Sequence, residues 1–315
     1  MVVYSSVDNI SQGSIASSSL TIGTFDGMHL GHRAIIEKTI HRAGILKCPC
    51  LIITFDPHPQ HVIGRQSTFA ILTSIDEKIK LLSTYDIDAV LLIPFTLDFA
   101  QIEAKPFVEE VYVKKLCIQE IIVGGSHNFG RIGSGDVHLL ESMGDKYSFK
   151  TYIFPPLYDG EDTVNSSRIR GLLTSGHVKR AARLLGYHYN ISGNVISGTG
   201  RGSQLQFPTA NIEAKAPYML IPKRGVYAVY VHINEDVLQG VMNIGTRPTF
   251  GAGRVFYEVH ILDFDGDIYH IQIKVEFIDR IRDERRFSSV HELKDQITKD
   301  ISITREILSS FSLKE

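Results

Sequence analysis

The sequence predicts a parallel α/β sheet domain followed by a small all-β domain that ends in one helix. Three observations carry this. Between residues 20 and 160, short apolar runs alternate with segments of helical period, the pattern of a parallel sheet covered by helices. Past residue 186 the period changes to two, with turn signals between the runs. From residue 289 to 308, Val290, Leu293, Ile297, Ile301 and Ile307 or Leu308 return to helical spacing.

Taken in order, strands are expected at Leu20–Gly23, Leu51–Phe55, Ala89–Pro94, Glu120–Gly124 and Thr151–Phe154, each rich in Ile, Leu or Val and closing at Gly, Pro or Phe. Helices are expected at Ala34–Ala43, Ser74–Tyr85 and Phe107–Leu116, where apolar residues recur at three-to-four spacing. Such a doubly wound, Rossmann-like sheet binds ligands at the carboxyl ends of its strands. A helical stretch follows from Gly171 to Leu185, and the change of period sets a boundary near Gly186, giving domains 1–186 and 187–315. Val226–Ile233, Gly240–Ile244, Phe256–Leu262 and Ile268–Phe277 then read as antiparallel strands separated by turns such as Asn234 to Asp236 and Asp265 to Asp267.

A chain of 315 residues suits two domains, and 43% hydrophobic with 22% charged residues is ordinary globular composition. The formal net charge of −2 gives no electrostatic reason to expect nucleic-acid or membrane partners. Small-molecule chemistry is the better expectation. Three cysteines, Cys48, Cys50 and Cys117, are an odd count without paired spacing, so free thiols in a reducing compartment fit better than disulfides or zinc. The N-terminus has no basic region, and no run of eighteen apolar residues occurs. A cytoplasmic protein is expected.

The first strand runs into the segment from Gly23 to His32, which holds Phe25, Asp26, Gly27, His29 and Gly31 and opens a helix. A glycine-bearing turn at a helix N-terminus presents unpaired backbone N–H groups and a positive dipole end, a natural phosphate site. His29 and His32, three apart, can project from one side of the first turn and donate to phosphate oxygens. Two such histidines alone would more often cap or pack. The glycines and Asp26 at the same strand end favour the phosphate reading. The second strand ends in Thr54 to Pro59, where two prolines hold His58 at the carboxyl edge in an extended exit. Ser166, Ser167, Arg168 and Arg170 suit the outer phosphates of a triphosphate, because Arg forks bind phosphate bidentately.

These three runs, in this order and spacing, resemble the adenylyltransferase module of the bacterial bifunctional riboflavin kinase/FMN adenylyltransferases, and the resemblance extends over nearly the whole chain. It implies a nucleotidyltransferase fold in which FMN's phosphate attacks the α-phosphorus of ATP, giving FAD and pyrophosphate. It further implies that His29, His32, Ser166, Ser167 and Arg168 handle ATP phosphates, and that His58 and Phe129 lie on segments lining the FMN pocket. One segment departs. Where the family carries G-x-D-F-x-F-G or its Asn variant, this chain reads Gly124 to Gly130 with Ser126 for the acid or amide and His127 for an aromatic. Asn165, Ser167 and Tyr187 are milder changes.

In the second domain, Gly193 and then Gly198, Gly200, Arg201 and Gly202 read as a flexible phosphate-wrapping loop. Phe207 to Ile212 follows, with Pro208, Thr209 and Asn211. A glycine-rich loop alone is more often a turn. The hydroxyl of Thr209 and the carbonyl of Asn211 fall on one side if extended, and hard oxygens suit magnesium. The P-T-A-N run is similar to that of riboflavin kinases, which implies that Thr209 and Asn211 are metal ligands and Glu258 the general base for the vitamin's terminal hydroxyl. A lone strand glutamate is otherwise a solvent-facing residue. Further matches at Leu220 to Tyr227, at Asn243 to Phe250 and at Ile281 to Phe287 imply that Asn243 binds substrate and that Arg282 and Glu284 border the flavin. His270 stands where Gly is usual. The implied fold is a Greek-key β-barrel with a C-terminal helix; the implied reactants are Mg²⁺, ATP, riboflavin, FMN and FAD.

Three readings stay open here: an enzyme making both FMN and FAD, a kinase whose first domain has lost FMN adenylylation through the Ser126 and His127 changes, and a flavin-binding regulator without turnover.

Overall fold

The apolar runs of the first half become one parallel sheet. Its strands are β1 (Val2–Tyr4), β2 (Ser18–Ile22), β3 (Cys50–Asp56), β4 (Ala89–Pro94), β5 (Ile118–Gly124) and β6 (Lys150–Phe154), in the order β1-β4-β3-β2-β5-β6. The computed structural model describes residues 1–64, 69–197, 207–216, 218–246 and 255–310. They fall into two units, 1–166 and 167–315.

β2 is buried along its whole length because both faces of the sheet are covered. On one face Leu20, Leu51, Ile53 and Leu91 pack with Phe107, Tyr112 and Leu140; on the other Ile52 and Val90 pack with Ile36 and Leu82. The alternation follows the two-residue period of a strand. The helices of this unit are α1 (Leu30–Leu46), the short α2 (Pro59–Ile63), α3 (Ile75–Leu82), α4 (Ala104–Phe107), which continues as a π-helical stretch over Val108–Lys115, and α5 (Val137–Tyr147). The sheet's order reverses between β2 and β5, so the crevice for a ligand opens beyond their carboxyl ends.

Differences from the sequence expectation have physical causes. The expected helix 107–116 is mostly π-helical. α5 escaped notice although Asp136 caps it, its Oδ1 accepting from Leu139 N at 2.9 Å. A short hairpin of β7 (Tyr158–Asp159) and β8 (Asp162–Thr163) precedes α6 (Ser166–Thr174) and α7 (Val178–Leu185).

The second unit is a closed barrel of β9 (Asn190–Ile196), β10 (Ala210–Ala214), β11 (Gly225–Ile233), β12 (Asp236–Thr246), β13 (Val255–Ile261) and β14 (Gln272–Arg282), in the order β10-β13-β12-β11-β14-β9. β14 returns beside β11, the first of three consecutive neighbours, which is a Greek key. Every pairing is antiparallel. Tyr227, Val229, Val231, Met242, Val259, Val275 and Phe277 are fully buried, while Val226, Val241 and Leu262 pack with Ile301 of the terminal helix α8 (Val290–Ser309).

Gly193 corrects the loop expectation. It lies inside β9, where a Cβ would run into the Glu213 carbonyl of the paired strand. Its bareness allows two strands to approach closely. Residues 198, 200, 201 and 202 lie outside the described residues. Of the expected strand 268–277, the first part is a turn, with His270 at φ 66°.

Candidate functional sites

In the first unit, the turn after β2 is built with three positive backbone angles, at Phe25 (φ 45°), Gly27 (φ 87°) and Met28 (φ 38°). Phe25 and Met28 are 2% and 1% exposed. Two bulky residues held in the left-handed region represent stored backbone strain, which clusters at functional sites. The turn is pinned from below. Asp26, 1% exposed, accepts at Oδ1 from the backbone N–H groups of Leu72 (2.8 Å) and Thr73 (3.1 Å). Asp26 is thus committed to the turn's architecture as well as standing in it. Ser166 donates its hydroxyl to the Asp26 carbonyl at 2.8 Å, and Ser167 and Arg168 follow, exposed, in the first turn of α6. A Cβ on Gly31 would crowd the His29 ring at 3.2 Å, and one on Gly23 the Phe25 ring at 3.3 Å.

His29 caps α1. Its Nδ1 accepts from His32 N at 3.3 Å, so the neutral ring carries its proton on Nε2 and presents a donor. The two histidine rings stack, centroids 3.6 Å apart, and Phe25 meets His32 edge-on at 5.2 Å. Among the described residues, the Nδ1 of His32 is buried without a hydrogen-bond partner. Burial first, then the neighbouring His29 and Lys78, hold His32 well below the usual histidine range, so it is neutral near pH 7.

Lys78 is a residue that sequence reading missed. It sits on α3, 4% exposed, and donates Nζ to the Thr24 carbonyl at 2.7 Å. A lone lysine among the core-facing positions of an amphipathic helix was the available signal. His58 stands at the carboxyl end of β3 with extended backbone (φ −58°, ψ 133°) and caps α2, which starts at Pro59, accepting from Gln60 N at 3.1 Å. Its ring stacks on Phe69 at 4.7 Å.

Beyond β5, Ser126 is exposed in the turn, and its carbonyl accepts from Asn128 Nδ2 at 3.1 Å. Phe129, 9% exposed, exchanges backbone bonds with Gly135 at 2.9 Å and belongs to the sheet's core. His127 lies nearly parallel to Phe129, 5.5 Å centroid to centroid. Burial pushes its pKa down to about 4. The imidazole that replaces an aromatic is therefore neutral and stacked.

In the barrel, the antiparallel registers bring Asn211 of β10 opposite Glu258 of β13, Glu258 opposite Asn243 of β12, Asn243 opposite Val226 of β11 and Val226 opposite Arg282 of β14. Directly opposed residues point to one face. The face is the outer one, over whose β11, β12 and β14 part α8 lies, since Val226 packs with Ile301 there. Five strands thus set Asn211, Glu258, Asn243, Val226 and Arg282 in one row. Thr209 precedes β10 two residues before Asn211, and both are half-buried. Arg282 grips Asp300 of α8 through Nε (3.0 Å) and a terminal nitrogen (2.7 Å), and Gln296 donates to the same carboxylate at 2.8 Å. His260, on the same face as Glu258, donates Nδ1 to the exposed Pro208's carbonyl at 2.7 Å, anchoring the segment before Thr209. Asp300 and His260 were not foreseen, because pairing across strands is invisible in local pattern. Gly245 is bare because a Cβ would strike the Glu284 carboxylate and the Phe256 ring.

Among the described residues no group of three or more His, Cys, Asp or Glu side chains is placed to hold a metal ion. Thr209 and Asn211 offer two neutral oxygens, a donor set that fits a magnesium completed by phosphate and water. The cysteines are free thiols, and burial pushes Cys50 up to about 12. No helix among the described residues is long and apolar enough to cross a membrane.

Residues 12–168 match the family model described as FAD synthetase, and 185–308 that described as riboflavin kinase. The bifunctional riboflavin kinase/FMN adenylyltransferase of Escherichia coli (strain K12) is 36% identical over 307 residues, 97% of each chain. The protein of the same description from Bacillus subtilis (strain 168) is 35% identical over 90% of each. The crystal structure of a macrolide-efflux protein from Streptococcus pneumoniae superposes with a TM-score of 0.86 at 29% identity, covering 96% of this chain and 98% of that one.

Proposed function

Because the chain belongs to the bifunctional riboflavin kinase/FMN adenylyltransferase family, we propose that its barrel unit phosphorylates riboflavin with ATP and its α/β unit adenylylates the resulting FMN to FAD. The carrying observation is the row of Asn211, Glu258 and Asn243 across three neighbouring strands, with Thr209 beside it.

In the kinase reaction Glu258 takes the proton of riboflavin's terminal hydroxyl as its oxygen attacks the γ-phosphorus of ATP; ADP leaves. Thr209 and Asn211 would hold the magnesium, which when bound would neutralise charge on the phosphates. Gly198, Gly200, Arg201 and Gly202 cover those phosphates, Pro208 and Asn243 line the site, and Arg282 borders the flavin. In the second reaction an oxygen of FMN's phosphate attacks the α-phosphorus of ATP and the bond to the β-phosphate oxygen breaks, releasing pyrophosphate. No protein nucleophile is required. Positioning and charge stabilisation carry the step, supplied by the N–H groups of the turn from Gly23 to Gly31, Nε2 of His29, His32, Ser166, Ser167 and Arg168. His58, Ser126 and Phe129 are assigned to the flavin side. The functional division is placed at 186, and the location is cytoplasmic.

A kinase-only protein is the second reading, motivated by Ser126 and His127. The neutral stacked ring of His127 weighs against it, since an uncharged aromatic face is retained. The test is to incubate the chain with Mg²⁺, ATP and either riboflavin or FMN and to resolve the flavins chromatographically. FAD from FMN supports the proposal. FMN without FAD leaves the kinase alone, and unchanged riboflavin overturns both.

A further inference from the structure

Lys78 is buried at 4% exposure on α3, yet its ammonium is spent on one backbone oxygen of the turn that follows β2, the Thr24 carbonyl at 2.7 Å. Burial lowers its pKa below the ordinary lysine range, and the nearby Asp26 and Asp56 carboxylates oppose that shift. Thr24 immediately precedes Phe25, the first of the three positive-φ positions, so the tie holds the turn where its strain begins. The turn is then held by Lys78 and Thr54 at the Thr24 carbonyl and by Leu72, Thr73 and Ser166 at Asp26. A cation here sits among groups assigned to triphosphate and acts on His32, adding to the burial and the His29 neighbour that lower that ring's pKa.

We propose that Lys78 is a positioning residue of the adenylyl-transfer site: it fixes the Thr24–Met28 turn and brings positive charge to the side of the site that takes the phosphates of ATP and pyrophosphate. This rests on the reading that the α/β unit transfers adenylyl groups. The function of the charge is long-range, because a buried cation acts through a medium less polar than water.

The full chain is the test object. FAD formation is measured against ATP concentration at saturating FMN, and inorganic pyrophosphate, which only the adenylyl reaction releases, is titrated by calorimetry. In Lys78→Met, KM for ATP should rise and pyrophosphate affinity fall about tenfold each, with kcat changing less. Lys78→Gln keeps a donor for Thr24 without the charge, so it should fold as the parent does and still bind pyrophosphate about tenfold more weakly. Parental KM and pyrophosphate affinity in a folded Lys78→Gln chain would overturn the assignment. Failure of both variants to fold would reduce Lys78 to a fold determinant and overturn it equally. If the parent makes no FAD but Lys78→Gln still weakens pyrophosphate binding, the adenylylation reading falls and the assignment of Lys78 to a phosphate site stands.

Discussion

Glu258 stands between Asn211 and Asn243, each its direct cross-strand partner. A carboxylate replaced by an amide of the same shape keeps the packing and loses the proton acceptor. Glu258→Gln should lower FMN formation about a hundredfold or more while FAD formation from supplied FMN stays at the parent rate, as flavin chromatography would show. His127 gives a second residue-level expectation. Burial holds it at about 4, against about 6.5 in an unfolded chain. Between those values the unfolded chain takes up a proton that the folded one refuses, so stability falls as pH drops through the window, by at most about 3 kcal/mol. His127→Phe should flatten that slope in urea unfolding at pH 7, 5 and 4, and FAD formation should persist. The residue types of both sites were legible in the sequence. The ionisation of His127 was not, because it depends on what surrounds the ring.

At the scale of elements, α8 is joined to the barrel by chemistry as well as by Ile301 and Leu308. Asp300, 1% exposed, is gripped by Arg282 from β14 and by Gln296 one turn earlier. Removing one partner of a largely buried ion pair leaves the other charge stranded, so Asp300→Ala should destabilise the barrel unit by about 3 kcal/mol and raise KM for riboflavin through the released Arg282. Thermal unfolding and kinase kinetics check both parts. Long elements were readable: β4 was anticipated at its observed bounds, Ala89–Pro94, and α8 within a residue. β9 and β10 were not, since Gly193 and the polar Asn190, Ser192 and Asn194 resemble loop residues until a neighbouring strand satisfies their backbone. The short β1 escaped for a related reason, its three residues being too few to show a period.

For the whole molecule, the change of hydrophobic period near Gly186 and the parting of the chain at 166/167 mark different things. α6 and α7 lie in sequence with the sheet but pack with the barrel: Lys223 N donates to the Leu173 carbonyl at 3.0 Å, and Lys179 pairs with Asp279 of β14 at 3.7 Å. A fragment spanning 167–315 should therefore phosphorylate riboflavin at near the full chain's rate, whereas one starting at 187 should melt several degrees lower. Scanning calorimetry on the two fragments decides it. The sequence pattern shows where local structure changes; which unit a helix joins depends on contacts far apart in the chain.

The row across the barrel has a kinetic consequence. Its members come from residue 211 to residue 282, and the strand that closes the ring, β9, precedes them all and pairs with both β10 and β14. Contacts so distant in sequence form late and together, after the entropy of long loops has been overcome. Phosphotransfer is then a clock for ring closure. On refolding from urea, the capacity to make FMN should return in one slow phase with the last strand pairing, with no partly active form preceding it.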